Sequence, residues 1–254
     1  MRVLIVGEVP FVDTLAGLCR ARDHKVDLFV ADDLQDQDTL DKMVRAATRC
    51  QLAIESLNES QAAKLWLIEG VEVNLQRDVP LLVSAVSASA TEIASWTDQP
   101  SRVVGYGLLP PIALTEKVEF APALQTDFEI AARARRFWED LGFEVVRVPD
   151  SAGLVRPRMV CALINEAVKL LAQTGLPVEE LDLAMQNGLN APRGPLSWAD
   201  EIGLDVVLGT LEGLLRYWGH ERYRPAPLLR QKVYAGHLGK KTGRGFYKYD
   251  PLLP

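Results

Sequence analysis

The sequence predicts an α/β chain in two parts: a mostly parallel sheet domain over residues 1–150, then an all-helical domain over 151–254. Three observations lead there. Short apolar runs alternate with helical patterns through the first 150 residues. The opening stretch "VLIVGEVPFVDTLAGLCRARDHKVDLFVADD" sets out strand, glycine, helix, second strand and acids in that order. After "VPDSAG" the texture changes, and nearly everything reads as helix. Strands alternating with helices mean βαβ units and a parallel sheet.

The elements can be justified in order. Strand-like runs occupy 2–6, 25–30, 51–55, 80–84, 102–106, 117–120 and 144–148. Helix-like stretches lie between them at about 11–22, 37–49, 58–69, 89–96 and 126–141. The last has apolar residues at 128, 130–132, 134, 137, 138 and 141, a helical stripe that stops at Gly142. In the second part, "TGLP" (174–177), "APRGP" (191–195) and "YRPAP" (223–227) punctuate the helices. The helix near 154–173 carries a wide apolar stripe, which predicts a central and largely buried position.

Composition excludes some functions. At 254 residues the chain is long enough to bury a proper core, and 48% hydrophobic with 24% charged residues is ordinary for a globular protein. A net charge of −6 argues against a nucleic-acid partner, which needs a basic face. One region departs from that balance: from Arg216 to Lys248 the positive residues face a single acid, Glu221. It reads as a solvated basic tail or as a surface for phosphate or a subunit. Cys19, Cys50 and Cys161 show no paired spacing, so neither a disulfide framework nor a metal site is expected. The N-terminus meets Glu8, Pro10 and Asp13 too early for a signal peptide, and no run of about 18 apolar residues could span a bilayer. The expectation is a cytoplasmic protein with no membrane partner.

The first βαβ unit is Rossmann-like, with its phosphate loop eroded. Dinucleotide binding needs small residues at GxGxxG spacing so that backbone amides approach a pyrophosphate. The three positions here are Gly7, Val9 and Val12, and Pro10 removes a donor. The ribose-binding acid falls by count at Val30, with Asp32 two residues later. Gly7 and Asp32 are the candidate contacts for an NAD whose binding is in doubt. The fold itself reads as scaffold.

The second part carries a more specific signal. "LINEAVKLLAQTGLPVEELDLAMQNGLNAPRGPLSWADEIGLDVV" followed by "GKKTGRGFYKYD" resembles the C-terminal domain of the 3-hydroxyacyl-CoA dehydrogenase family. "LLVSAVSASATEIA" and "GYGLLPPIALTEKVEF" follow that family's order. The resemblance covers residues 80 to 250 well and 1 to 79 loosely, and is strongest to the second, degenerate half of long bacterial members. It implies a mechanism in which a His oriented by a Glu takes the 3-hydroxyl proton while hydride passes to NAD, and a Ser and an Asn hold the substrate oxygen. Carried onto this chain, the Glu is Glu119 and the Ser is Ser87. The His position is Gly107, the Asn after it is Pro110, and the Asn early in the helical domain is Pro157. Two nicotinamide-associated positions correspond to Glu59 and Lys64, which read equally as a surface pair on a helix. The helical arm that clamps the CoA ester in the family is shortened, since Val30 to Gln51 holds room for one helix.

No substitute base is expected. Tyr106 should face away from residue 107, because side chains alternate along a strand. His24 starts the second strand, and His220 and His237 are expected at exposed positions near the end. Loss of a general base costs about 10²- to 10⁴-fold in rate. The expectation is a catalytically impaired family member acting as an assembly or acyl-CoA-binding subunit. It would form a homodimer through "VCALINEAVKLL" and "VVLGTLEGLLRYW", or dock on a partner dehydrogenase. The alternatives are an active NAD-dependent dehydrogenase with a modified site, or another chemistry using a lysine.

Overall fold

A computed structural model describes residues 1–112 and 115–249; Ala113 and Leu114 of the proline-rich turn, and Asp250 at the end of the closing motif, lie outside them. The first part contains β1 (Arg2–Gly7), α1 (Phe11–Arg20), β2 (Lys25–Val30), α2 (Gln37–Ala47), β3 (Leu52–Ser56), α3 (Gln61–Glu72), β4 (Leu81–Ser84), α4 (Ala90–Ala94), β5 (Val103–Gly107), β6 (Lys117–Pro122), α5 (Phe128–Asp140) and β7 (Glu144–Arg147). They form one seven-stranded sheet in the order β2-β1-β3-β4-β5-β6-β7. Pairing is parallel except between β5 and β6, so β6 and β7 run against the rest.

Burial explains why these runs became strands. Val3 and Ile5 enter one core, Leu4 and Val6 the other, so β1 is apolar on both faces and covered on both. The runs expected at 51–55, 80–84 and 102–106 each begin one residue later, and β6 runs on to Pro122. The helix expected from residue 58 starts at Gln61, with the Ser60 side chain capping it. Asn58 is drawn out of that helix because its backbone and side-chain amides both donate to Glu8.

The second part contains α6 (Arg156–Thr174), α7 (Val178–Leu189), α8 (Pro195–Ile202), α9 (Leu204–Trp218) and α10 (Pro227–Tyr234). α6 begins where Gly153 and Leu154 take positive φ, at 76° and 45°. One apolar core runs from the α1 and α5 face of the sheet into these helices, through Trp138, Cys161, Ile164, Val207 and Leu211. The sheet face and the helical part therefore share a core.

Candidate functional site

Gly107 ends β5 and lies in register with Glu119 of β6. A β-carbon at Gly107 would meet Leu154 Cδ1 at 2.8 Å and Glu119 Oε2 at 3.3 Å. Leucine and the carboxylate thus fill the space on that side. Glu119 bonds to backbone: Oε2 accepts from the Val155 amide at 3.0 Å and Oε1 from the Arg156 amide at 2.7 Å. It caps the N-terminus of α6, a favourable place for a carboxylate. Burial raises its pKa above the ordinary value, opposed by those two amides and the Arg156 charge. A cavity of about 410 Å³ opens beside it, lined by Gly107, Thr115, Lys117, Glu119, Val146 and Arg156.

The other expected catalytic positions do not line that cavity. Ser87 is buried beneath α9, whose Gly213 leaves no room for a β-carbon beside the Ser87 carbonyl. That carbonyl accepts from Arg216, and Ser87 does not line the Glu119 cavity. The carbonyl of Pro110 accepts from the Trp198 indole at 3.0 Å, and Pro157 is buried in the first turn of α6. Tyr106 turns away as expected, with its hydroxyl on the Glu55 carbonyl. His24 precedes β2, stacks on Phe137 and lies 3.1 Å from Asp140. His220 is exposed; His237, expected to be exposed, is half-buried.

Gly7, Asp32 and Glu59 come together around a cavity of about 260 Å³ at the ends of β1, β2 and β3. Gly7 has φ of 152°, and a β-carbon there would lie 2.5 Å from Ser56 Oγ, so the neighbouring strand alone demands glycine. Asp32 is exposed on the 3-10 turn Ala31–Gln35. Glu8, Val9, Asp205 and Lys241 also line the cavity. Glu8 is buried, and its pKa is pushed up to about 8 by burial and by Asp205, against Lys241 and the Asn58 amide. Lys241, from the segment after α10, pairs with Asp205 of α9.

The surface pair Glu59–Lys64 must be corrected. Glu59 is exposed ahead of α3, whereas Lys64 is fully buried, with its ammonium on both Glu55 oxygens at 2.8 and 2.6 Å and on the Leu57 carbonyl at 2.8 Å. Burial lowers the Lys64 pKa and raises that of Glu55; each charge opposes the shift in the other. Sequence reading missed Glu55, whose signal was an acid at the end of an otherwise apolar strand. It also missed Glu8, an acid beside the glycine of a turn that should face phosphate.

A nucleotide-type α/β sheet followed by a shared-core helical module defines the class. The profile of the 3-hydroxyacyl-CoA dehydrogenase NAD binding domain matches residues 20–151, and that of the C-terminal domain residues 153–249. The first match begins beyond the eroded turn. A probable 3-hydroxybutyryl-CoA dehydrogenase of Bacillus subtilis is 36% identical over 212 residues, 84% of this chain and 74% of the relative. A 3-hydroxybutyryl-CoA dehydrogenase of Bradyrhizobium diazoefficiens is 35% identical over 205 residues, 81% of this chain and 70% of the relative. The crystal structure of the (S)-3-hydroxybutyryl-CoA dehydrogenase of Ralstonia eutropha superposes with a TM-score of 0.76 at 29% identity, over 98% of this chain and 99% of that one. The chain belongs to the 3-hydroxyacyl-CoA dehydrogenase family. Among the described residues, no helix is long and apolar enough to cross a membrane.

Proposed function

We propose that this chain is a catalytically impaired member of its family that works as an assembly or acyl-CoA-binding subunit. The observation that carries the reading is the Gly107–Glu119 pair. The position of the family's base has no proton acceptor, and the carboxylate that would orient that base caps α6 instead. The pyrophosphate turn supports the same reading. Val9 and Pro10 replace a small residue and an amide donor, and Glu8 and Asp205 put acidic side chains where an anion should bind. These residues do not fit the diphosphate of NAD.

An assembly role is supported by what the helical part leaves uncovered. Met159, Leu163 and Leu170 of α6 and Leu183 of α7 are exposed large hydrophobics. Calorimetric titration with NADH and then with acetoacetyl-CoA tests the reading. The expected result is no saturable NADH binding and no NADH oxidation above background. Turnover that falls on Glu119→Gln overturns it. The second reading, an active dehydrogenase with a modified site, is favoured by the open cavity beside Glu119, with the Thr115 hydroxyl in hydrogen-bond contact with Arg156 at its wall. The same titration decides between them.

A further inference from the structure

Doubly wound sheets bind their ligands in the crevice at the carboxyl ends of the strands. In this chain that crevice is lined by four carboxylates, Glu8, Asp32, Glu59 and Asp205, and one ammonium, Lys241. We propose that it binds a small organic cation carrying primary ammonium groups, in place of a dinucleotide. The proposal rests on the reading that the turn after β1 no longer takes NAD.

Two observations support it beyond the collected charge. Glu8 and Asp205 are only 6% and 7% exposed, and among the described residues neither Glu8 Oε2 nor Asp205 Oδ1 has a hydrogen-bond partner. A buried carboxyl oxygen without a partner is costly, and a ligand that brings N–H groups relieves that cost once the carboxyl is ionised. The protein already places one ammonium here, since Lys241 donates to the other oxygen of Asp205. The inner end of the crevice thus already accommodates one primary ammonium, leaving Asp205 Oδ1 and, once its proton has left, Glu8 Oε2 as acceptors. Asp32 and Glu59 are more exposed and stand at the mouth. A diammonium would set one end on Glu8 and Asp205 and the other between Asp32 and Glu59. A bare metal ion fits less well, because the described residues contain no group of three or more ligating side chains placed to hold one.

The charged groups facing Glu8 are Asp205 from α9, Lys241 from the closing segment, Glu59 from the loop after β3, and Lys64 from α3. Burial and the acids among them keep a proton on Glu8 near neutrality. An arriving ammonium favours the carboxylate, so binding releases that proton.

The test is calorimetric titration of the full chain with 1,4-diaminobutane near neutral pH, in two buffers of different ionisation enthalpy. NADH and magnesium chloride are titrated in parallel. Saturable 1:1 binding of the diamine is expected, with heats that differ between buffers in the sense of proton release. Affinity should fall at least tenfold in Glu8→Gln and severalfold in Asp32→Asn, whose exposed site leaves folding intact. No saturable diamine heat, unchanged affinity in both variants, or saturable magnesium binding lost in Glu8→Gln would each overturn the proposal. Absence of diamine binding together with absence of NADH binding removes this inference alone. Saturable NADH binding removes the reading on which it stands.

Discussion

At the scale of single residues, the pairing of Gly107 with Glu119 was legible because Glu119 could be aligned through an unbroken run of sequence. What Glu119 does instead was not legible, since its partners lie 36 and 37 positions away on α6. Adding a methyl tests how fully the space has closed. Gly107→Ala should cost about 1–2 kcal/mol, the lower part of the ordinary overpacking range, because the nearest atom is the mobile end of Leu154. In a Leu154→Ala background the same change should cost less, and urea midpoints of the two singles and the double read the coupling. Glu8 gives a prediction in pH. Its pKa is 4.5 unfolded and about 8 folded, so the folded state holds the extra proton between those values. Stability from this group is full below pH 4.5, falls by about 1.4 kcal/mol per unit at most as pH rises through the window, and is flat above it. Glu8→Gln should therefore raise the melting temperature at pH 9 and change it little at pH 4. Equal shifts at both values would show that Glu8 does not titrate this way.

At the scale of elements, strand and helix types were legible from apolar period. The reversed direction of β6 and β7 was not, because the alternating apolar pattern of a strand reads the same in either direction. Nor was a repeated device visible, in which remote carboxylates cap helices. Asp150 accepts from the Ala90 and Thr91 amides at the start of α4, both at 2.8 Å. Asp182 accepts from the Leu196 and Ser197 amides of α8, both at 2.8 Å, and from the Tyr247 hydroxyl at 2.9 Å. Asp200 uses the same two-amide grip on a loop instead of a helix, taking the Phe246 and Tyr247 amides at 2.8 Å and the Tyr249 hydroxyl at 3.0 Å. This accounts for the family-like "GRGFYKY" segment: its residues dock on the acids of α7 and α8. Asp182→Ala leaves two amides at a buried helix start without an acceptor, and should cost about 2–3 kcal/mol. A urea melt measures that loss. Faster chymotryptic cleavage after Tyr247 should accompany it, since the tyrosine loses the same anchor. A urea midpoint within error of the wild type would show that water replaces the carboxylate at no cost.

At the scale of the whole molecule, the two parts were legible as a change of texture. Their common core was not, because it gathers residues as far apart in the sequence as Val3 of β1, Trp138 of α5 and Leu211 of α9. α9 presses on the sheet end closely enough that its Gly209 tolerates no β-carbon beside the Asn58 carbonyl. The helical part is therefore held against the sheet on one side and turns its other side outward. There α6 displays Met159 at 63%, Leu163 at 37% and Leu170 at 44% exposure, with Leu183 of α7 at 56%. Met159 and Leu163 are one turn apart and Leu170 two turns further, so they form a single stripe along the helix. Scattered exposed hydrophobics are ordinary, whereas a continuous stripe marks a contact surface. If a second copy covers it, a charge at its centre must be buried without a partner, which is far costlier than losing the apolar contact. The double variant Met159→Glu, Leu163→Glu should elute as a monomer in light scattering at concentrations where the parent is dimeric. Its helical circular dichroism should be unchanged, because neither side chain faces the core cluster that includes Val160, Cys161 and Ile164. A parent that is itself monomeric across that range would turn the assembly role toward a different partner, and a variant that stays dimeric would place the contact on another face.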